Sequence, residues 1–119
     1  MAAPRNTLTS KIFWALMDRW EVPDAQALLL LAHPGGLTEK GTRQRFALTP
    51  AEAHRLTNLL AADRLLTDIF GEPASWLRRL NRSDPFKTTK PINFMIRHGA
   101  AGIDRTRHFL AAEALRRSQ

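Results

Sequence analysis

Hydrophobic residues return at helical spacing along almost the whole chain, and no stretch alternates in the manner of a strand. Ile12, Phe13, Leu16, Met17 and Trp20 recur about a turn apart behind Thr9 or Ser10, either of which can cap a first helix. Pro23 opens a second helix running to Ala32, and its consecutive leucines predict burial on more than one side. His33-Pro34-Gly35-Gly36 is a breaker. The stretch from Leu37 to Phe46 is the least determined: Thr38 can cap a short third helix, and Gly41 weakens it. Thr49-Pro50-Ala51-Glu52 is a far stronger start, with a capping threonine, a proline at the first helical position and a glutamate that can complete a capping box. Ala53, Leu56, Leu59, Leu60, Leu66, Ile69 and Phe70 then hold the period to Gly71, which predicts the longest helix and the spine of the fold.

Beyond that spine the punctuation is dense. Gly71 can take the left-handed conformation that closes a helix, and Pro73 suits the first turn of the next one. In that short helix Trp76, Leu77 and Leu80 share a face and are predicted to be buried, with Trp76 as a structural anchor, while Arg78, Arg79 and Arg82 point elsewhere. Arg82-Ser83-Asp84-Pro85 reads as a turn. Pro91 opens a helix to about His98, Gly99 ends it, and a last helix runs from about Ala100 to Arg116 with Ile103, Phe109, Leu110 and Ala114 inward. Residues 1–8 are expected to fray. The predicted fold is all-α.

Composition narrows the class without naming a function. With 119 residues, 44% of them apolar, the chain is one domain or a small module fused to a short one, and it can build a core. The absence of cysteine excludes disulfides, thiolate metal sites and a cysteine nucleophile. No apolar run has the length of a signal core or a membrane span, so a soluble cytoplasmic protein is expected. The net charge of +7 is unevenly placed. Residues 1–72 carry 8 basic and 8 acidic side chains, whereas residues 73–119 carry 10 basic ones against Asp84, Asp104 and Glu113. Such asymmetry points to an acidic partner, either nucleic acid or an acidic protein surface.

Catalytic patterns are missing. Gly36-Leu37-Thr38-Glu39-Lys40-Gly41-Thr42 imitates a phosphate-binding loop but lacks the lysine between its second glycine and the threonine. His33, His54, His98 and His108 have no zinc-helix spacing. Neither a nucleophile elbow nor a carboxylate pair in an apolar setting occurs. The chain is not read as an enzyme, and no cofactor or metal is expected.

The run Phe70-Gly71-Glu72-Pro73-Ala74-Ser75-Trp76-Leu77-Arg78-Arg79-Leu80-Asn81, followed by Phe86 and Pro91-Ile92-Asn93-Phe94-Met95, resembles the toxin-binding domain of the Xre/MbcA/ParS-like antitoxins. Phe70, Gly71, Trp76, Leu77, Asn81, Phe86 and Pro91 fall on that family's pattern. Leu80 replaces a proline, two extra residues precede Phe86, Lys87-Thr88 replaces a Gly-Gly pair, Lys90 replaces a helix-capping threonine, and Asn93 replaces an aspartate. The resemblance covers about half the chain, from Thr49 onward, and describes a divergent member. It implies a helical toxin-binding module at 49–119 and an Xre-like helix-turn-helix region at 1–48, joined through the long helix.

The implied function is the antitoxin of a type II toxin–antitoxin pair. Its partner would be a RES-domain toxin that consumes NAD or transfers ADP-ribose from it, neutralised by steric covering of the active site. Asn81, Lys87, Lys90, Arg116 and Arg117 are the candidate toxin-binding residues, although Asn81 is equally a candidate helix C-cap and Arg116 and Arg117 suit a helix C-terminus in any case. For DNA the candidates are Lys40, Arg43, Gln44 and Arg45, which would contact groove and phosphates. The alternative at that end is a module that only packs, since residues 1–72 are neutral overall and Gly41 falls inside the supposed recognition helix. Candidate partners are thus the RES-domain toxin, operator DNA and a second copy of the chain. A small helix-turn-helix transcriptional regulator with no toxin is the alternative function.

Overall fold

A computed structural model describes residues 8–119, and five helices build this described part. The expected fraying of residues 1–8 lies, apart from Leu8, outside the described residues. In the order α1 (Ser10–Arg19), α2 (Asp24–Leu31), α3 (Pro50–Phe70), α4 (Pro73–Arg78) and α5 (Pro91–Arg117), the fold is all-α, with no strand among the described residues. No helix among them is long and apolar enough to cross a membrane.

Local chemistry explains most of the boundaries. Thr9 caps α1 by accepting from the Ile12 N–H at 3.3 Å. At the start of α3 both halves of the capping box form: the Thr49 hydroxyl accepts from the Glu52 N–H at 3.1 Å, and Glu52 accepts from the Thr49 N–H at 2.9 Å. Glu72 caps α4 through the Ser75 N–H at 3.2 Å, a bond the residue pattern did not suggest. Gly99, with φ 65° and ψ −141°, breaks α5 into two segments at the expected place. A side chain there would meet the Arg55 guanidinium, which also donates to the Leu30 carbonyl at the end of α2.

The third N-terminal helix is absent. Thr38 does not cap a helix; its hydroxyl accepts from the Thr42 N–H at 3.0 Å while its own N–H donates to the Thr42 carbonyl at 2.8 Å. Gly41 turns that loop at φ 81°, and an isolated bridge between Leu37 and Arg43 closes it. The expected helix-turn-helix-like region therefore consists of two helices and a tied loop. Two burial expectations also change. Leu29 is 62% exposed, so α2 buries Ala27, Leu30 and Leu31 but not its whole leucine run. Leu80 is 61% exposed because α4 stops at Arg78 and the backbone is extended at Arg79, which takes Leu80 off the helix face.

The centre of the core is α3, whose Leu56, Leu59, Ala62 and Leu66 are buried and which packs against α5, α4 and α2. One apolar cluster runs from Phe13 to Leu110 and is continuous across the expected boundary at residues 48/49. The loop before α3 is held by a polar latch: His33 Nδ1 lies 2.8 Å from a Glu52 carboxylate oxygen, and its ring stacks on Phe46 at 3.8 Å. Burial alone would raise the Glu52 pKa, but the Thr49 N–H and His33 outweigh it and hold the group below its ordinary value. A lowered carboxylate pKa contributes stability at neutral pH that is lost as pH falls through the folded value. We expect the acid limb of the stability curve to flatten in Glu52→Gln, checked by urea unfolding between neutral pH and acid. An unchanged acid limb would remove Glu52 from this role.

Candidate docking site

The loop between α4 and α5 is built around one inserted ring. Phe86 is 1% exposed and meets Trp76, Phe94 and Phe109 edge to face, at centroid separations of 5.6, 5.2 and 5.2 Å. Asn81 closes the loop base: its N–H donates to the Thr89 carbonyl at 3.0 Å, and its carbonyl accepts from the Thr88 N–H at 2.7 Å. Its side chain accepts from the Ser83 N–H at 2.9 Å. Asn81 therefore shapes the loop, and its side-chain oxygen is occupied within it. Trp76 was expected in the core; it is half-buried, sandwiched between Phe70 and Phe109 at 6.1 and 6.2 Å, and belongs to an aromatic cluster drawn from four elements.

Past the inserted ring the backbone is unusual. Lys87 and Thr88 take φ 49° and 71°, two successive non-glycine residues in the left-handed region. For Thr88, β-branched, that is a rare and costly conformation. Lys90 then stands at the N-cap of α5 with no side-chain capping bond, a position where a hydroxyl would bond and a cation is opposed by the helix dipole. Thr88→Gly and Lys90→Thr are each expected to stabilise the fold by up to about 1 kcal/mol, through relieved strain and a new cap respectively. Thermal unfolding of the two variants measures this; destabilisation by both would contradict the strain assigned to this loop.

Lys87 and Lys90 are exposed, and the cleft beside Lys87 is lined by Pro85, Phe86, Asn93, Arg97 and His98. Lys90, Asn93 and Arg97 share one helical face. Arg105, from beyond the kink, lies over the Phe94 ring at 5.7 Å. Residue spacing alone missed Asn93, Arg97 and Arg105, although the polar i, i+3, i+7 stripe from Lys90 was a signal available for the first two. Arg116 and Arg117 do not join this group. Both pair with Glu113, Arg117 at 3.1 Å, and Arg117 covers Phe70 at 5.1 Å, about two turns beyond Phe109. Arg116, then Arg117, hold the Glu113 pKa below its ordinary value.

The DNA candidates lie on the loop that replaced the third helix. Lys40, Gln44 and Arg45 are exposed there. Arg43 is turned inward: its guanidinium bonds Asp18 at 2.6 and 3.0 Å and Asp24 at 2.8 Å, and it covers Trp14 at 4.5 Å. The bond to Arg43 lowers the Asp18 pKa, and the two carboxylates raise that of Arg43. The guanidinium is committed to fastening the loop to α1 and α2, and no helix presents these four residues to a groove. Among the described residues no group of three potential ligands could hold a metal ion. Comparison of the chain with protein-family models, curated proteins and solved structures finds no match.

Proposed function

We propose that the protein is the antitoxin of a type II pair and neutralises a RES-domain, NAD-consuming or ADP-ribosylating toxin by covering its active site. One observation carries the reading: Lys87 and Thr88, the residues that replace the Gly-Gly pair of the resembling pattern, hold the left-handed conformation that glycine favours. The loop thus keeps a glycine-type path without the glycines. Strain of this kind concentrates where a surface has a task other than stability. The uncapped Lys90, at the pattern's capping threonine, repeats the same trade.

On this reading the antitoxin performs no chemistry. Lys87 and Lys90 make contacts, Asn81 sets the loop, and Arg116 and Arg117 serve mainly within the chain. Co-expression with a RES-domain protein encoded in the neighbouring gene tests the proposal. The full chain should restore growth, and a folded Lys87→Glu, Lys90→Glu variant should not. Failure of the unmodified protein to restore growth, or a genome with no such neighbour, would count against it.

A further inference from the structure

The positive charge of residues 73–119 is not spread evenly over their surface. Among the described residues Arg79, Arg82, Lys87, Lys90, Arg97 and Arg105 have no ion-pair partner, and the last four lie on the end of the loop and on α5. Lys87 and Arg97 border one cleft that Asn93 and His98 also line, Lys90 continues the helical face of Arg97, and Arg105 lies across Phe94. The nearby acids do not neutralise them. Asp104 is engaged by Arg107 and His108 at 3.1 and 3.3 Å, and Asp84 borders an adjoining hollow without an ion pair to Arg105. Two of the four cations also occupy places unfavourable to lysine, a left-handed backbone and an uncapped helix N-terminus. Like charges gathered in this way repel one another and leave a field that only an external anion cancels.

We propose that this cleft is the acceptor for an acidic segment of the protein partner, with Arg97 and Lys87 engaging its carboxylates and the Asn93 amide hydrogen-bonding between them. The inference rests on the antitoxin reading and deepens it, moving the partner-facing surface from the chain end to the first segment of α5. Carboxylates fit better than a nucleic acid strand. Sequence-tolerant binding of single strands needs open aromatic faces for the bases. Here the two phenyl rings of the cleft, Phe86 and Phe94, are 1% and 5% exposed, and Arg105 covers Phe94. The cleft offers concentrated charge and one amide, which is the chemistry of carboxylate recognition.

The test compares two charge-reversed variants of the full chain that carry the same change in net charge: Lys87→Glu with Arg97→Glu, and Arg116→Glu with Arg117→Glu. All four side chains are exposed, so both variants should keep the helical circular dichroism spectrum. A labelled oligoglutamate peptide and an oligothymidylate strand are titrated at physiological salt, where diffuse surface attraction is screened. Peptide binding should weaken by at least about tenfold in the first variant and by less than about twofold in the second. Equal losses in both, no peptide binding by the unmodified chain, or tighter cleft-dependent binding of the oligothymidylate would overturn the proposal. In a parallel capture of the RES-domain toxin, loss in the first variant alone supports both readings. Cleft-dependent peptide binding with no toxin capture by the unmodified chain would sustain the carboxylate-binding cleft and sink the toxin assignment.

Discussion

Replacing Phe86 with alanine is expected to cost the fold about 3–5 kcal/mol, as deletion of a large buried ring does. The ring is 1% exposed and touches three other rings, from α4 and from both segments of α5. Its backbone also turns the loop, with its N–H donating to the Ser83 carbonyl at 2.8 Å and its carbonyl accepting from Thr89. Removing the ring leaves a cavity where those elements meet and frees the segment that positions Lys87. Leucine, which refills part of the volume, should recover part of the loss. Urea unfolding followed by circular dichroism measures both. A cost below about 1 kcal/mol for the alanine variant would show that the neighbouring rings close the gap without it, and that Phe86 does not hold the loop.

Trp20→Ala is expected to be equally severe, again about 3–5 kcal/mol. Trp20 is fully buried, and its indole N–H donates to Asp63 in the middle of α3 at 2.9 Å. The other Asp63 oxygen holds Arg19 at 3.1 Å, so α1 is fastened to the spine by one ring and one carboxylate. Trp20→Phe separates the two contributions: it keeps most of the apolar volume and removes the hydrogen bond to a charged acceptor, at a cost of about 1.5–3 kcal/mol. Equal losses from alanine and phenylalanine would assign the joint to the hydrogen bond, contrary to the packing argument.

The features legible in the sequence are those decided by neighbouring residues. The capping box at Thr49 and Glu52, the proline starts at Pro50, Pro73 and Pro91, and the glycine break at Gly99 each involve chemistry within a turn, so the chain order displays them. The loop from Leu37 to Phe46 was not legible because its conformation depends on distant partners. Arg43 reaches Asp18 and Asp24, and Phe46 stacks on His33, contacts that no periodicity encodes. Leu80 was misplaced because its expected face assumed a helix continuing past Arg78, whereas Trp76 packs half-buried against the core through aromatic partners from α3, α5 and the loop.

The candidate docking site was half legible. Lys87 and Lys90 stood out as departures from the resembling pattern, and the structure adds why each is an unfavourable place for lysine. Arg97 follows Lys90 on the same helical face, but Arg105 joins them only because the kink at Gly99 folds the two segments of α5 so that Arg105 lies over Phe94. That juxtaposition cannot be read from spacing, since the two arginines lie on different helical segments. Arg116 and Arg117 added to the basic count of the sequence, yet within the fold both are drawn to the one Glu113 carboxylate, away from the cleft.

The central claim is neutralisation by occlusion, and a titration of purified components tests it most directly. The RES-domain toxin that the proposal requires is incubated with NAD, and NAD loss is followed while the full chain is added. Stoichiometric covering of the active site predicts that NAD consumption falls in proportion to added protein and ceases at one equivalent per toxin, with the complex eluting as one species. Undiminished NAD consumption in the presence of a large excess of the folded chain would contradict the account.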